Sequence, residues 1–338
     1  GGTVIARLSD LVRKSGGAPP ATPDPPLSFA EAESRQPAAD LSPARHDSAR
    51  YDQALREIGR LAEAAADGAP IRVGTLERLM AEVAQDLSSG DDLLIKALER
   101  GEDQIDTPRH MLNTAIFAVK IGQGVGVSGS ELAELALAAS LHDLGMAIVP
   151  PRILNKPGSL TEEEWTLVRL HPEKGFRLLQ GLGPEYERLA NVILQHQERE
   201  DGSGYPRGLK GDEIHEFAKI IGLADTYEAL THPRPYRPQP HSPLEVVKEI
   251  IGSERQRFPG HILKGFIRSL STYPVGSWVR LNTGEMARIA ATNPTFPLRP
   301  VVEILMNAKG EQIQPSRRID LAANTLLYIT ESSRGPLA

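Results

Sequence analysis

The sequence predicts a mainly α-helical protein, a helical bundle followed by a small β module at its C-terminal end. Three observations lead there. Apolar residues recur at three- and four-residue steps between about Tyr51 and Ser271. Helix-start signals stand before two of the apolar runs. From Tyr273 the pattern changes to short apolar runs separated by turn residues.

Taken in order, the chain opens on an arm. Seven of the 27 prolines fall between Pro19 and Pro43, and such a stretch buries too little apolar surface to offset its ordering entropy. Residues 1–45 therefore read as a flexible arm or linker. Leu55, Ile58, Leu61 and Ala62, then Leu76, Leu79, Val83 and Leu87, keep helical spacing, so 46–100 reads as two or three helices forming a regulatory or dimerisation region. The strongest helical block follows within a domain over 101–272. Ser128 with Glu131, and Thr161 with Glu164, have capping-box spacing before apolar runs. Further helices are expected at Leu244–Glu254 and His261–Ser271. Over 273–338, the runs Val275–Leu281, Met286–Ala290, Val301–Met306 and Thr325–Thr330 predict four or five strands in a barrel-like module.

Composition narrows the chemistry. With 38 Lys+Arg against 44 Asp+Glu the formal charge is −6, which argues against polymeric nucleic acid or an anionic membrane surface as the main partner. The absence of cysteine removes disulfides, thiolate catalysis and Cys-ligated metals. No apolar stretch has the length of a membrane span, so a soluble, cytoplasmic protein is expected.

Five separate segments each offer a metal-capable side chain: His110, His142-Asp143, His171, His196 and Asp225. Successive groups are about 25–32 residues apart, one helix and its loop each time. Neutral imidazole and carboxylate are natural ligands of Fe, Mn, Zn or Ni. Neighbours such as His142 and Asp143 point about 100° apart within a helix, but at a helix end beside Gly145 both can face one cavity.

These residues resemble a known family. His142-Asp143-Leu144-Gly145 is similar to the signature of the HD phosphohydrolase superfamily, and His196 through Gly211, with Gly204-Tyr205-Pro206, resembles its HD-GYP subgroup. Ile153 through Gly158, Leu170-His171-Pro172-Glu173, Ala224 through Thr231 and Arg234-Pro235-Tyr236-Arg237 extend the likeness in colinear order over roughly 105–270. The resemblance implies an HD-superfamily helical bundle holding two divalent transition-metal ions, iron or manganese first, with nickel, cobalt or zinc as alternatives. It implies hydrolysis of cyclic di-GMP by metal-activated water, giving linear pGpG and, onward, GMP.

Carried over by position, His110, His142, Asp143 and Asp225 match one metal site, and Asp143, His171 and His196 the second. His142 and Asp143 are the expected catalytic pair. Gly204, Tyr205, Arg234 and Arg237 match substrate-binding positions, and the GYP loop is also a candidate surface for a protein partner. Asp106, where three-metal members have glutamate, and Gln197, where the family has a second consecutive histidine, are further candidate ligands; the third ion is left open. Met146 stands where the family has lysine, and methionine offers neither charge nor a strong donor. Three readings follow: a cyclic di-GMP phosphodiesterase, a degenerate member that binds the nucleotide or a partner without cleaving, and a hydrolase of another phosphoester. The other histidines (His46, His215, His232, His241, His261) read as structural or exposed.

Overall fold

The computed structural model describes residues 45–98, 107–154, 156, 158–232, 241, 243–270, 273, 275–293, 295–296 and 299–333. Asp106, Arg234, Arg237 and the arm expected over 1–45, save Arg45, lie outside the described residues.

The region expected to hold two or three helices holds three: α1 (Arg45–Ala66), α2 (Gly74–Ser89) and α3 (Asp92–Leu98). In α2 the buried residues Leu76, Leu79, Met80, Val83, Ala84 and Leu87 form one stripe, the ordinary pattern of a helix with one face on the core. Then come α4 (Thr107–Val125), α5 (Gly129–Leu141), α6 (Pro151–Leu154), α7 (Glu162–Arg169), α8 (His171–Gln180) and α9 (Glu187–Gln195). The helical part closes with α10 (Glu216–Thr231), α11 (Pro243–Gly252) and α12 (Gly260–Ser269).

Two helices break the one-stripe rule. Every residue of α4 from His110 to Val119 is buried, and so is every residue of α10 from Phe217 to Ala224. A helix apolar all round belongs in the middle of a core, and α4 packs against α1, α5, α10 and α12. Phe117 of α4 meets Tyr227 of α10 edge to face at 5.1 Å, and Tyr227 meets Phe266 of α12 at 5.3 Å. Each such pair adds about 0.5–1.5 kcal/mol beyond area burial and ties together the two helices that carry His110 and Asp225. One apolar core extends from Tyr51 to Leu270, so α1–α3 share it with the later helices. The Tyr51 hydroxyl, donating to Asn113 Oδ1 at 2.7 Å, gives a buried amide oxygen its partner.

The two capping boxes part company. At α7 the Thr161 hydroxyl accepts from the Glu164 amide, and the Glu164 carboxylate accepts from the Thr161 amide. At α5 the Ser128 side chain makes no capping bond. Gly129, the first helical residue there, enters with φ +58°, so the first turn does not present its amides to Ser128 in the usual way.

The C-terminal module is an antiparallel sheet of β1 (Trp278–Leu281), β2 (Met286–Ala291), β3 (Val301–Met306), β4 (Gln312–Asp320) and β5 (Ile329–Ser333), in the order β4-β3-β2-β1-β5. Among the described residues β4 and β5 stand at the two ends of this order. Its own small core includes Val279, Leu281, Ala287, Ile289, Val302, Ile304 and Leu321. No helix among the described residues is long and apolar enough to cross a membrane.

Candidate metal centre

Helix ends build the site. His142 caps the C-terminus of α5, and Asp143 follows with φ −102°, ψ 13°, leaving helical geometry as a short 3-10 helix, Leu144–Ile148, begins. This break lets two sequence neighbours face one point. His171 opens α8 directly after α7, and His196 caps α9.

All three histidines use the same device. Nδ1–H donates to the carbonyl three residues earlier: His142 to Ala139 at 2.7 Å, His171 to Val168 at 2.8 Å and His196 to Ile193 at 2.6 Å. Carbonyls in the last turn of a helix have spare acceptor capacity; Ala139 and Ile193 also accept the His142 and His196 amides at 3.5 and 3.4 Å, and each ring takes up the remaining capacity. A carbonyl can only accept, hence Nδ1 carries the proton, and in the neutral ring Nε2 keeps its lone pair. His110, from α4, finds its Nδ1 partner in another element, Glu228 Oε2 at 2.5 Å.

The four Nε2 atoms gather around two carboxylates. Asp143 Oδ1 lies 3.2 Å from His171, 3.5 Å from His196 and 3.7 Å from His142. Its Oδ2 lies 3.6 Å from His110 Nε2, which is 3.2 Å from Asp225 Oδ1. One carboxylate oxygen thus faces each half of the cluster. Donor atoms lie within 4.8 Å of one another in three triads: His110, His142 and Asp143; Asp143, His171 and His196; and His142, His196 and Asp225. The last triad crosses between the two ligand sets that the resemblance implies.

The donor chemistry fits cations. His142 Nε2 and Asp143 Oδ1 are buried without a hydrogen-bond partner, an expensive state unless something positive meets them. His171 and His196 bring their Nε2 atoms to 3.1 Å, where two lone pairs repel unless a cation or proton lies between. Electrostatics agree. Burial lowers the His142 pKa to about 4, keeping it a neutral imidazole at neutral pH. Burial opposes charge on His171 as well, but the Asp143 carboxylate outweighs it and raises that pKa. Burial would also raise Asp143, yet His142 and His171 hold it well below the ordinary carboxylate range. Asp225 is lowered as well, burial being outweighed by its bond to His110.

Gln197 is at the site but its amide is engaged. Nε2 donates to Asp225 Oδ2 at 3.0 Å, and Oε1 accepts from Arg199 Nη2 at 3.1 Å. Met146, in the 3-10 helix, packs on a satellite apolar cluster of Val149, Ile153 and Val168 with Leu154 and Leu160. The neighbouring loop is folded by the buried Glu198, whose carboxylate accepts from the Arg207 and Leu209 amides at 2.7 and 3.0 Å. Gly204 passes so close that a Cβ there would lie 2.4 Å from Glu198 Cα. Tyr205 consequently stands edge-on to His171, ring centroids 6.2 Å apart. Burial and the charges of Asp143 and Asp225 raise its phenol pKa, so it stays protonated at neutral pH.

Sequence reasoning passed over Glu198, Arg199 and Glu228. Arg199 donates to the His196 and Glu198 carbonyls at 3.0 and 2.8 Å, pinning the turn after α9. The available signal was spacing: Glu228 lies three residues after Asp225, on the same face of α10.

A mostly helical domain whose buried histidines and aspartates converge from five segments defines a class of candidate metal-dependent proteins. The chain belongs to the HD domain family, whose model matches residues 83–261. Residues 278–335 match a KOW domain associated with HD domain. A Pseudomonas aeruginosa protein named cyclic di-GMP phosphodiesterase is 31% identical over 215 residues, 64% of this chain and 51% of that one. A Thermotoga maritima protein, also named a cyclic di-GMP phosphodiesterase, is 36% identical over 165 residues, 48% of this chain and 45% of that one. A Vibrio cholerae 3'3'-cGAMP-specific phosphodiesterase is 40% identical over 131 residues, covering 39% and 28%. The chain thus spans about half the length, or less, of these curated relatives. An HDG"Y"P protein structure from Bdellovibrio bacteriovorus superposes with a TM-score of 0.54 at 19% identity, over 67% of this chain and 73% of that one, a likeness of fold.

Proposed function

We propose that this protein is a metal-dependent phosphodiesterase that hydrolyses cyclic di-GMP to linear pGpG, and onward to GMP. The observation that carries the reading is the convergence of four imidazole Nε2 atoms on Asp143 and Asp225, with Nδ1 of each ring already committed to an acceptor. The names of the Pseudomonas and Thermotoga relatives support the choice of nucleotide.

In this reading His110, His142, His171, His196, Asp143 and Asp225 hold two divalent cations, iron or manganese first. When bound, such a pair makes water acidic near neutral pH and neutralises charge developing on a phosphodiester. The protein's own residues do the rest. Asp143 presents one oxygen to each half of the site and fixes their separation. Gln197 holds Asp225 in place between the carboxylate and Arg199, a positioning task in place of ligation. Tyr205, a neutral phenol beside His171, can donate a hydrogen bond to a phosphate oxygen. Arg234 and Arg237 remain the proposed partners of the phosphates, whose planar guanidinium groups suit bidentate binding.

The test is chromatography of products after the full chain, loaded with Mn(II) or Fe(II), is mixed with cyclic di-GMP and, in parallel, 3'3'-cGAMP. Conversion of cyclic di-GMP to pGpG is expected. Turnover of 3'3'-cGAMP alone would move the assignment to another cyclic dinucleotide, and no turnover with either at full metal occupancy would reject the enzyme reading.

The packing of Met146 on an apolar cluster favours a second reading, a protein that binds the nucleotide without cleaving it. The two separate on one variant. Met146→Lys restores a cation beside the site, and if that contact belongs to the transition state it acts on kcat more than on KM. A kcat gain of about tenfold, worth about 1.4 kcal/mol, is expected with KM nearly unchanged. An unaltered kcat in a well-folded variant would return position 146 to packing alone.

A further inference from the structure

The cluster contains a carboxylate that no metal triad uses. Glu228 lies inside the core, its side chain 4% exposed. Burying a carboxylate so completely is costly unless it is paired and hydrogen-bonded, and its two oxygens face two different histidines. Oε2 takes His110 Nδ1 at 2.5 Å, while Oε1 lies 3.5 Å from His232 Nδ1. The far side of His232 is tied down in turn, Nε2–H donating to the Ala97 carbonyl at 3.0 Å. His232 Nδ1 lies closer to the Thr231 hydroxyl and the Glu228 backbone carbonyl, 3.2 Å from each, so this ring ties the end of α10 to α3, and the carboxylate's close partner is His110.

Both neighbouring routes to this geometry are closed. His142, His171 and His196 set their tautomer with a local carbonyl three residues earlier because each stands at a helix end. His110 lies inside α4, where the backbone carbonyls of the preceding turn are engaged by the helix itself. Its Nδ1 needs an acceptor from another element, and Glu228 supplies one that also carries charge. A carboxylate behind an imidazole fixes the ring's orientation and raises the basicity of the opposite nitrogen.

We propose that Glu228 is a positioning residue of the metal centre, holding His110 as the Nδ1–H tautomer with Nε2 aimed at Asp143 and Asp225. The proposal rests on the metal-centre reading. It assigns the glutamate to ligand strength and tautomer rather than to ligation or to contact with substrate.

Mn(II) binding by the full chain, measured by calorimetry with metal content checked by mass spectrometry, tests it. In Glu228→Gln the acceptor loses its charge and its fixed orientation. Mn(II) affinity at the ion that His110 serves should fall about 10–100-fold, the range for loss of a partner behind a ligand. Nitrogen-15 NMR of histidine-labelled metal-free protein supplies a second readout: a strongly deshielded Nδ1 proton assigned to His110 should be present in the unsubstituted chain and absent in Glu228→Gln. Wild-type Mn(II) affinity in Glu228→Gln, or persistence of that proton, would overturn the proposal. Should Glu228→Gln not fold, Glu228→Asp decides: the shorter carboxylate draws back from His110, so weaker Mn(II) binding is expected and unchanged binding overturns the proposal. Failure of the unsubstituted chain to bind Mn(II) would instead remove the metal reading on which the proposal stands.

Discussion

Asp143→Ala is expected to lose bound metal and cyclic di-GMP hydrolysis together. The reason is the division of labour within one carboxylate. Oδ1 faces His142, His171 and His196, and Oδ2 faces His110, so this one side chain addresses all four histidines of the cluster. Removing a residue that merely supports a ligand typically costs 10–100-fold in affinity or activity; removing the shared carboxylate should cost more than about 100-fold in both. Metal content by mass spectrometry and product formation are the two measurements. A variant that keeps two equivalents of metal would show that Asp143 does not hold them. Asp143→Asn separates shape from charge: the amide fills the same space, and an equal loss of metal would assign the effect to the missing negative charge.

Gly145→Ala should be nearly as severe for a different reason. A Cβ at this position would lie 2.0 Å from the His171 carbonyl oxygen and 2.7 Å from the Gly175 amide nitrogen. Both are backbone atoms of α8, which cannot swing aside as a long side chain can. The 3-10 helix that follows Asp143 and the start of α8 must separate, and that moves His171 away from Asp143 Oδ1. Overpacking of this kind costs about 3 kcal/mol at the upper end of its usual range. In a domain of this size the melting temperature should fall by roughly 6–12 °C, with Mn(II) affinity reduced alongside. An unchanged melting temperature with unchanged metal binding would mean that the two backbones are not held this close in solution.

The elements differed in how legible they were. Thr161 and Glu164 announced α7 because a capping box is local, built from side chains and amides three residues apart. The same spacing at Ser128 and Glu131 did not form its side-chain bond, since Gly129 takes a left-handed conformation that the spacing does not record. β3 was expected over the residues it occupies, because Val301, Val302, Ile304, Leu305 and Met306 are strongly apolar. β4 escaped notice: Gln312–Asp320 stands at one end of the sheet order with most of its side chains in solvent, so no burial imposed an alternating pattern upon it. Of the strand run read at Thr325–Thr330, only Ile329 and Thr330 fall within β5, Ile329–Ser333.

The site divides along the same line. That His110, His142, Asp143, His171, His196 and Asp225 form one set was readable from residue type, order and spacing, since ligand chemistry restricts the side chains and one helix and its loop separates each from the next. Burial of α4 and α10 through the middle of the core, the commitment of each Nδ1, the engagement of Gln197 by Asp225 and Arg199, and the apolar seat of Met146 were decided by tertiary structure alone. So was the place of Glu228 behind His110, 118 residues away in the chain. Which atoms a chain can offer is a property of its residues taken one at a time; which of those atoms meet, and in which protonation state, depends on packing between distant segments, where burial sets the cost of every polar group left without a partner.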